Sequence, residues 1–379
     1  MSLHRRRQLF AVVLVVWLII VQQTLPSNAS AAPVPAARYE QAIHAARTAI
    51  EGLVNSPQGP PGLGVAVLVE GRIVWSDGFG FADLEQRVAL WPHTKMRIGS
   101  VSKPITSAAL GLLYEQKKLD LDAPIQKYVP SFPAKKYPIT TRQVAGHLSG
   151  IRHYEDQMDA EVFNTRHFET VLEGLTLFKD DPLLFEPGTK FHYSSHGFNL
   201  LSAVIEGISG QDFLSYMQEN VFNPVGMRHT IADLNARIIP NRARFYVRDE
   251  QRNWRNAPYV DNSYKWAGGG FLSTPEDLAR FGWAIVRGQL LKPETVTLFT
   301  TSQRTNDGKP TGYGIGWDVS TDGKGRRTNG HGGGSVGGAS GLLVYPEQRV
   351  AVAIIVNTDE IPDRDQLMQR IAEGFITAQ

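Results

Sequence analysis

The chain has 379 residues, of which 42% are hydrophobic and 20% charged, a composition typical of globular rather than disordered or fibrous proteins. It contains no cysteine, and this excludes disulfides, cysteine–metal sites and a thiol nucleophile. The formal net charge is only +2, so nothing in the charge balance predicts a nucleic-acid partner.

The first 31 residues have the three-part layout of a secretory signal peptide. The basic segment Arg5–Arg7 precedes an unbroken apolar run, Leu9–Val21, and Ala29-Ser30-Ala31 supplies a small-residue cleavage site. We therefore expect an exported protein, periplasmic or secreted, with a mature chain of residues 32–379. The alternative is that residues 9–21 remain as a membrane anchor, although a span usually needs about 20 residues.

Removal of this segment takes away three of the 39 basic residues and none of the 37 acidic ones, which leaves 36 against 37. Hydrophobic periodicity and turn residues then predict elements along the rest of the chain. Thr274 and Pro275, for example, form a strong helix start because they supply an N-cap and a first-turn proline. In chain order we predict a helix at Tyr39–Val54, strands at Gly64–Val69 and Arg72–Gly80, helices at about Ser100–Gln116, Asn199–Gly207, Phe213–Phe222 and Pro275–Val286, strands at Tyr313–Val319, Gly338–Tyr345 and Val350–Asn357, and a helix at Arg364–Ile376.

This order predicts the fold class. Strands near both ends, with helices outside and between them, indicate one mixed α/β (α+β) lobe that is assembled from both ends of the chain. We place that lobe at about residues 38–123 and 266–379, and an inserted, mainly helical lobe at about residues 124–265. A cleft between two such lobes is a natural place for a site.

A Ser-x-x-Lys motif lies at the start of the predicted helix after Gly99. Ser100 and Lys103 share one helix face, one turn apart, and Pro104 is tolerated only in a first turn, which fixes the helix start near Ser100. The positive helix end and burial favour an alkoxide on Ser100 and a neutral amine on Lys103, which accepts a hydroxyl proton. By itself the motif is weak, since it also occurs by chance in a chain of this length.

Two further segments carry groups suited to the same chemistry. Tyr193 precedes a helix that begins near Ser195, where a phenol is able to relay protons; the alternative is a packed core tyrosine. The segment Asn329–Ser335 is rich in glycine, which lets a substrate backbone approach a strand edge. The N–H of Gly334 is a candidate oxyanion donor beside that of Ser100; the alternative is a flexible hairpin loop.

These three elements, in this order, resemble the signature of the serine β-lactamase and penicillin-binding protein superfamily. The resemblance is closest to the class C-like and D-aminopeptidase-like branch, peptidase family S12. The segments His147–Tyr154 and Tyr193-Ser194-Ser195 are especially similar to the β-lactamase-like protein of animal mitochondria. Other segments that match are Gly146–Ile151, Glu186-Pro187-Gly188, Ala267–Gly270 and Ser340–Pro346. The resemblance covers about residues 40–375.

The resemblance implies a fold and a set of roles. The fold is an antiparallel sheet flanked by helices with an all-helical lobe. Ser100 is the residue acylated, Lys103 is the general base, and Tyr193 is a second acid and base. No cofactor and no metal is implied. The residues implied on the substrate and oxyanion side are Ser195, His331, Gly333 and Gly334.

Three positions depart from the family pattern. Ser195 stands where class C β-lactamases have asparagine, and a hydroxyl is shorter than an amide. His331 replaces lysine and Gly332 replaces threonine, so a substrate carboxylate loses a hydroxyl donor and a permanent positive charge. These changes weaken the expectation of efficient β-lactam hydrolysis but leave the Ser–Lys–Tyr centre intact.

We therefore predict an exported serine hydrolase that forms an acyl-enzyme on Ser100 with peptide, D-amino-acid peptide, ester or β-lactam substrates. The alternative is a non-catalytic or slowly acylating penicillin-binding sensor, or a structural module. The expected partner is a small-molecule or peptide substrate, with no nucleic acid, and with a membrane only through an uncleaved N-terminal segment. His192 and His196 have a zinc-like spacing, but no glutamate follows to complete the motif.

Overall fold

A seven-stranded antiparallel sheet forms the centre of the fold, in the strand order β3-β2-β1-β12-β11-β10-β9. The structure, a computed structural model, describes residues 36–154 and 159–379. The predicted signal segment, residues 1–31, lies outside the described residues. The strands are β1 Gly62–Val69, β2 Arg72–Asp83, β3 Val88–Ala89, β4 Met96–Arg97, β5 Ile231–Ala232, β6 Tyr246–Arg248, β7 Trp254–Asn256, β8 Phe271–Ser273, β9 Asp318–Thr321, β10 Arg327–Ser335, β11 Gly338–Tyr345 and β12 Val350–Val356.

Helices cover the sheet and fill the middle of the chain. Short 3-10 turns, among them Gly99–Val101 and Ser263–Lys265, join several of them, and Gln218–Phe222 is a π-helical turn. The α-helices are α1 Glu40–Val54, α2 Ser102–Glu115, α3 Thr141–Ala145, α4 Asp159–Val162, α5 Val171–Gly174, α6 Ser195–Ser209, α7 Phe213–Met217, α8 Asn223–Val225, α9 Trp266–Gly269, α10 Pro275–Val286, α11 Pro293–Phe299 and α12 Arg364–Thr377.

The two central strands, β1 and β12, are buried along their whole length because helices cover both faces of the sheet. Gly64 pairs with Ile355, and a side chain at Gly64 would meet Pro275 of α10. Gly341 pairs with Ile354, and a side chain at Gly341 would meet Met368 of α12. Since neighbouring residues of a strand point to opposite faces, α10 and α12 lie on opposite sides of the sheet.

The architecture confirms the predicted fold class. Strands from both ends of the chain build one antiparallel sheet, and the residues between β4 and α9 are mainly helices and loops with short strands. The boundaries of the lobes at residues 124 and 265 stay a prediction. Within residues 36–154 and 159–379, no helix is both long enough and apolar enough to span a membrane.

Two local predictions need correction. We expected a strand at Tyr313–Val319, but β9 begins only at Asp318. The alternation of buried Tyr313, Ile315 and Trp317 mimics a strand, whereas Gly316 has a φ of 81° and turns the chain. Conversely, the glycine-rich segment that we left open between a loop and a strand edge is the nine-residue strand β10.

The sheet core gives a test of this packing. Ile354 is fully buried in β12, whereas Ile238 is 93% exposed. We expect Ile354→Ala to lower the free energy of unfolding by about 2–5 kcal/mol, because it leaves a cavity beneath α12. The matched change Ile238→Ala should shift it by no more than about 0.5 kcal/mol. Urea unfolding of the two variants measures this, and equal effects would contradict the described register.

Candidate active site

Ser100 and Lys103 lie at the junction of a 3-10 turn and helix α2. Ser100 is in the turn Gly99–Val101, and α2 begins at Ser102, so the two side chains lie one turn apart, as the sequence predicted. The Lys103 Nζ atom is 2.9 Å from Ser100 Oγ. Lys103 is completely buried, whereas Ser100 is partly exposed and faces a cavity.

The Lys103 amine has two other close neighbours. Its Nζ atom donates to the carbonyl of Gly268, at 2.7 Å, and to Ser195 Oγ, at 3.0 Å. Burial lowers the pKa of Lys103 well below 10.5, and the nearby charge of Lys265 lowers it further. Both effects favour the neutral amine, which has a lone pair for the third neighbour, Ser100.

Tyr193 comes directly before helix α6, and the start of that helix fixes its backbone. The Ser194 side chain caps α6 by accepting from the N–H of Gly197, at 3.0 Å. The Ser194 N–H donates to His147 Nδ1, at 3.1 Å, and the His147 ring packs on the Tyr193 ring with centroids 4.3 Å apart. His147 is buried and holds a left-handed backbone with φ 60°.

The Tyr193 phenol completes the centre with Ser100 and Lys103. Lys103 Nζ lies 4.8 Å from the centroid of the Tyr193 ring. Burial raises the pKa of Tyr193, and hydrogen bonding with the Ser100 and Ser195 side chains offsets this only in part. The phenol is therefore protonated at neutral pH and is able to donate a proton. The structure thus brings together all three residues predicted to form the catalytic centre.

Ser195, the first departure from the family pattern, contacts the same amine. Its hydroxyl is buried next to Lys103, and its backbone N–H donates to His153 Nδ1, at 3.1 Å. Burial lowers the pKa of His153 to about 4, so this ring is neutral and accepts the hydrogen bond. Although a serine side chain is shorter than the asparagine of class C β-lactamases, Ser195 Oγ still accepts a hydrogen bond from Lys103.

Strand β10 forms the opposite wall of the site. It pairs with β11 from Asn329 to Ser335 but with β9 only from Arg327 to Gly330, so residues 331–335 leave one edge of the strand unpaired. The backbone of Gly334 lies beside Gly99, where a Cβ would be 2.5 Å from the Gly334 carbonyl oxygen. Gly333 is closely packed under Ile98, whereas a side chain at Gly334 would meet only open space.

His331 lies on this wall but does not supply a positive charge. Its Nε2 atom is 2.9 Å from the hydroxyl of Tyr313, and its Nδ1 atom is 2.6 Å from the carbonyl of Gly332, to which it donates as N–H. Burial lowers the pKa of His331, so the ring is neutral at neutral pH. Gly332 packs against the guanidinium of Arg364, which occupies the place where a larger side chain would stand.

Two cavities adjoin the centre, and Gly334 lines both. One, of about 320 Å³, contains Ser100, Ser195 and Lys265. The other, of about 700 Å³, is lined by Tyr193 and residues 331–334 of β10. A third cleft, of about 690 Å³, lies away from Ser100, and its lining includes none of the predicted site residues, so we do not assign the chemistry to it.

Sequence reasoning missed two cations near the site. Lys265 directly precedes the segment Trp266–Gly269, whose Ala-Gly-Gly-Gly continuation we matched to the family, but nothing in the pattern marked the lysine. Arg364 starts helix α12, far along the chain. Their positions depend on the packing of distant elements, so no local signal would have identified them.

Other sequence candidates have structural partners. Arg152 bonds Glu161 and Asp181, at 2.8 and 2.6 Å. His196 is fully buried and is 3.0 Å from Glu161, while His192 is exposed. Among residues 36–154 and 159–379, no group of three or more potential metal ligands comes together.

Comparisons with known proteins agree with the predicted family and fold. The beta-lactamase family profile matches residues 46–374. The mouse protein "Serine beta-lactamase-like protein LACTB, mitochondrial" is 37% identical over 87% of this chain and 77% of its own length. A D-aminopeptidase of Gluconobacter oxydans is 27% identical over 85% of this chain and 59% of its own. A D-stereospecific amidohydrolase from Streptomyces has a TM-score of 0.74 at 25% identity, covering 86% of this chain and 97% of its own.

The comparisons also overturn one prediction. The mouse protein and its cattle and human counterparts, all 36–37% identical to this chain, are mitochondrial, which contradicts a periplasmic, secreted or N-terminally membrane-anchored protein. The reason lies in a shared feature of targeting segments. A basic start without acidic residues, here up to Glu40, suits mitochondrial import as well as secretion.

The support of Tyr193 can be tested through His147. We expect His147→Leu to lower the free energy of unfolding by about 1–3 kcal/mol, because the buried Ser194 N–H loses its acceptor. His147→Asn keeps an acceptor near the Nδ1 position and tolerates a left-handed backbone, so it should cost less. Denaturant unfolding of both variants gives the answer, and a leucine variant as stable as the asparagine one would refute the role of this hydrogen bond.

The buried Arg152–Glu161–His196 network predicts a pH dependence of stability. Burial raises the pKa of Glu161, but hydrogen bonds from His196 and Arg152 outweigh it and hold the pKa at about 2, against 4.5 ordinarily. A lowered pKa means that ionised Glu161 stabilises the fold above pH 4.5 and that this stabilisation is lost as the pH falls toward 2.

Over that window the wild type should lose roughly 3 kcal/mol that Glu161→Gln does not lose. Urea unfolding at a series of pH values measures the difference. Glu169→Gln, a change at an exposed carboxylate, is the matched control and should keep the wild-type slope. If the free energy of unfolding depends on pH in the same way for the wild type and Glu161→Gln, the network does not favour ionised over protonated Glu161.

Proposed function

Because the chain belongs to the beta-lactamase family of serine hydrolases, we propose that it is itself a hydrolase that forms an acyl-enzyme on Ser100. One observation carries the proposal. The Ser100 hydroxyl lies 2.9 Å from the amine of Lys103, which is completely buried. Burial favours the neutral amine, and only a neutral amine accepts the serine proton.

The contacts of Lys103 orient its lone pair. A neutral amine has two N–H groups and one lone pair, and the Gly268 carbonyl and Ser195 Oγ take the two N–H groups. The lone pair is then directed at the remaining neighbour, the Ser100 hydroxyl. Ser100 gives its proton to Lys103 as its oxygen attacks the substrate carbonyl carbon, and the carbonyl oxygen becomes an oxyanion.

Backbone groups and Tyr193 complete the cycle. We assign the oxyanion to the N–H groups of Ser100 and Gly334, which flank the cavity. As the bond to the leaving group breaks, protonated Tyr193 donates to the leaving atom and regains a proton from the Lys103 ammonium. Water then attacks the acyl carbon, and Lys103 takes one of its protons. The bond to Ser100 Oγ breaks, and Lys103 returns the proton to the serine oxygen, which releases the carboxylic acid product.

The substrates that we favour are amides of D-amino acids, peptides and esters. The similarity to a D-aminopeptidase and to a D-stereospecific amidohydrolase supports this choice. Neutral His331 and the absence of a hydroxyl at Gly332 make β-lactam hydrolysis less favoured, because a β-lactam carboxylate finds neither a fixed charge nor a threonine donor there.

The test is turnover of a chromogenic ester and of D-alanine peptides, with labelling by a fluorophosphonate. Ser100→Ala should lose labelling and reduce kcat/KM by roughly 10³-fold or more. Tyr193→Phe should reduce kcat by about 10²–10⁴-fold, because it removes the proton donor. Ser102→Ala is the matched control, since Ser102 is buried in the same helix but outside the contacts of Lys103.

The outcomes separate the enzyme from the alternatives. Turnover that survives in Ser100→Ala would refute the acyl-enzyme. Labelling of Ser100 without turnover would favour a slowly acylating sensor, and the absence of both would favour a structural module.

A further inference from the structure

We propose that Lys265 binds a carboxylate on the acyl part of the substrate and thereby selects acyl groups that end in an anion. This inference rests on the proposed function, because it specifies the substrate of the same site. The carboxylate would belong to the half of the substrate that remains attached to Ser100. In this role Lys265 determines substrate specificity and takes no part in proton transfer.

The placement of Lys265 is the first observation. Lys265 is the last residue of the 3-10 turn Ser263–Lys265. Its exposed fraction is only 5%, and it lines the cavity that contains Ser100. Neither a hydrogen bond nor an ion pair joins its amine to any residue in the described parts of the chain, 36–154 and 159–379. Its amine lies 5.5 Å from the centroid of the Tyr264 ring, and the charges of Arg97 and Asp233 also act on it.

Neither of the nearby acidic groups forms an ion pair with the Lys265 amine. Asp233 accepts from Arg97 at 2.7 Å, from Asn262 at 3.0 Å and from Arg242 at 3.4 Å. Asp359, at the cavity wall, is exposed and accepts from the Thr358 hydroxyl at 3.1 Å. A buried ammonium without a counter-ion is costly, and a bound anion removes that cost.

The charge state of Lys265 suits this role. Burial, with the positive charge of Arg97, lowers its pKa to about 8. The amine is therefore mostly protonated at neutral pH and becomes neutral in mildly alkaline solution. A cation of this kind in a cleft is an expected feature of a ligand-binding site.

The position of the two cavities identifies the acyl half of the substrate. Tyr193, the proton donor for the leaving group, lines the cavity of about 700 Å³, whereas Ser100 and Lys265 line the cavity of about 320 Å³. The group that departs toward Tyr193 leaves the acyl group in the Lys265 cavity. The remaining walls of that cavity are mostly apolar and include Val162, Phe163, Val247 and Val336. An apolar stem with a terminal carboxylate is complementary to such a surface.

Two esters that differ only in charge test the proposal. We would measure kcat/KM for the para-nitrophenyl monoester of adipic acid and for para-nitrophenyl methyl adipate, whose far carboxyl is masked. The wild type should prefer the anionic ester by about 10–100-fold, the effect of one charge-assisted contact. Lys265→Met should bring the ratio of the two kcat/KM values close to one, and Lys265→Arg should retain part of the preference. The ratio is the readout, because loss of the Lys265 charge also raises the pKa of Lys103 and changes the turnover of both esters.

Controls separate charge from folding. Lys95→Met changes another largely buried lysine, which donates to the Pro240 carbonyl outside the cavity, and it should keep the wild-type preference. Circular dichroism checks the fold, and Lys265→Gln replaces the methionine variant if that variant does not fold. The wild type alone gives a further measurement, because its preference should decline as the pH rises through about 8.

The outcomes distinguish this inference from the proposed function. Ser100-dependent turnover of both esters at equal rates, unchanged by Lys265→Met, would overturn the role of Lys265 and leave the hydrolase intact. If neither ester is turned over, the proposed function fails. Calorimetric binding of both esters to Ser100→Ala then tests whether Lys265 binds the carboxylate. Tighter binding of the anion that disappears in Ser100→Ala/Lys265→Met supports it, and equal binding overturns it.

Discussion

The burial of one amine determines how the site is built. Lys103 is enclosed completely, and its three neighbours come from three separate parts of the chain, namely Ser100, Ser195 and the Gly268 carbonyl. A buried lysine is destabilising unless it is neutral and hydrogen-bonded, so these neighbours must be held in place by the surrounding fold. The cap of α6 and the short helix α9 provide two of them, and the start of α2 provides the third.

The sequence was most informative where function and local structure depend on the same few residues. Pro104 and the Ser-x-x-Lys spacing located the start of α2 to within two residues, and Tyr193 was correctly placed before α6. The antiparallel sheet followed from family resemblance and from strand patterns at both ends. In these cases a local rule, a cap or a spacing, agrees with the tertiary structure.

Local patterns failed where packing between distant elements decides the outcome. Buried Tyr313, Ile315 and Trp317 alternate like a strand, yet they line a turn that Gly316 permits. Arg364 fills the space beside Gly332 only because α12 crosses the sheet there, and Lys265 reaches the cavity only through the fold of the middle segment. No spacing between neighbouring residues encodes such contacts. The localisation error has a different cause, because a basic start without acidic residues is shared by two targeting routes.

The strand order has a consequence for synthesis of the chain. Strand β12 lies in the middle of the sheet, between β1 and β11, although it is synthesised after every other strand in residues 36–154 and 159–379. The β1–β2 hairpin must therefore wait, with an unsatisfied edge and apolar faces, until residues 350–356 have emerged. The nucleophile on α2 and the glycine wall on β10 come together only at that late stage, so a truncated translation product would contain Ser100 and yet have no complete catalytic pocket.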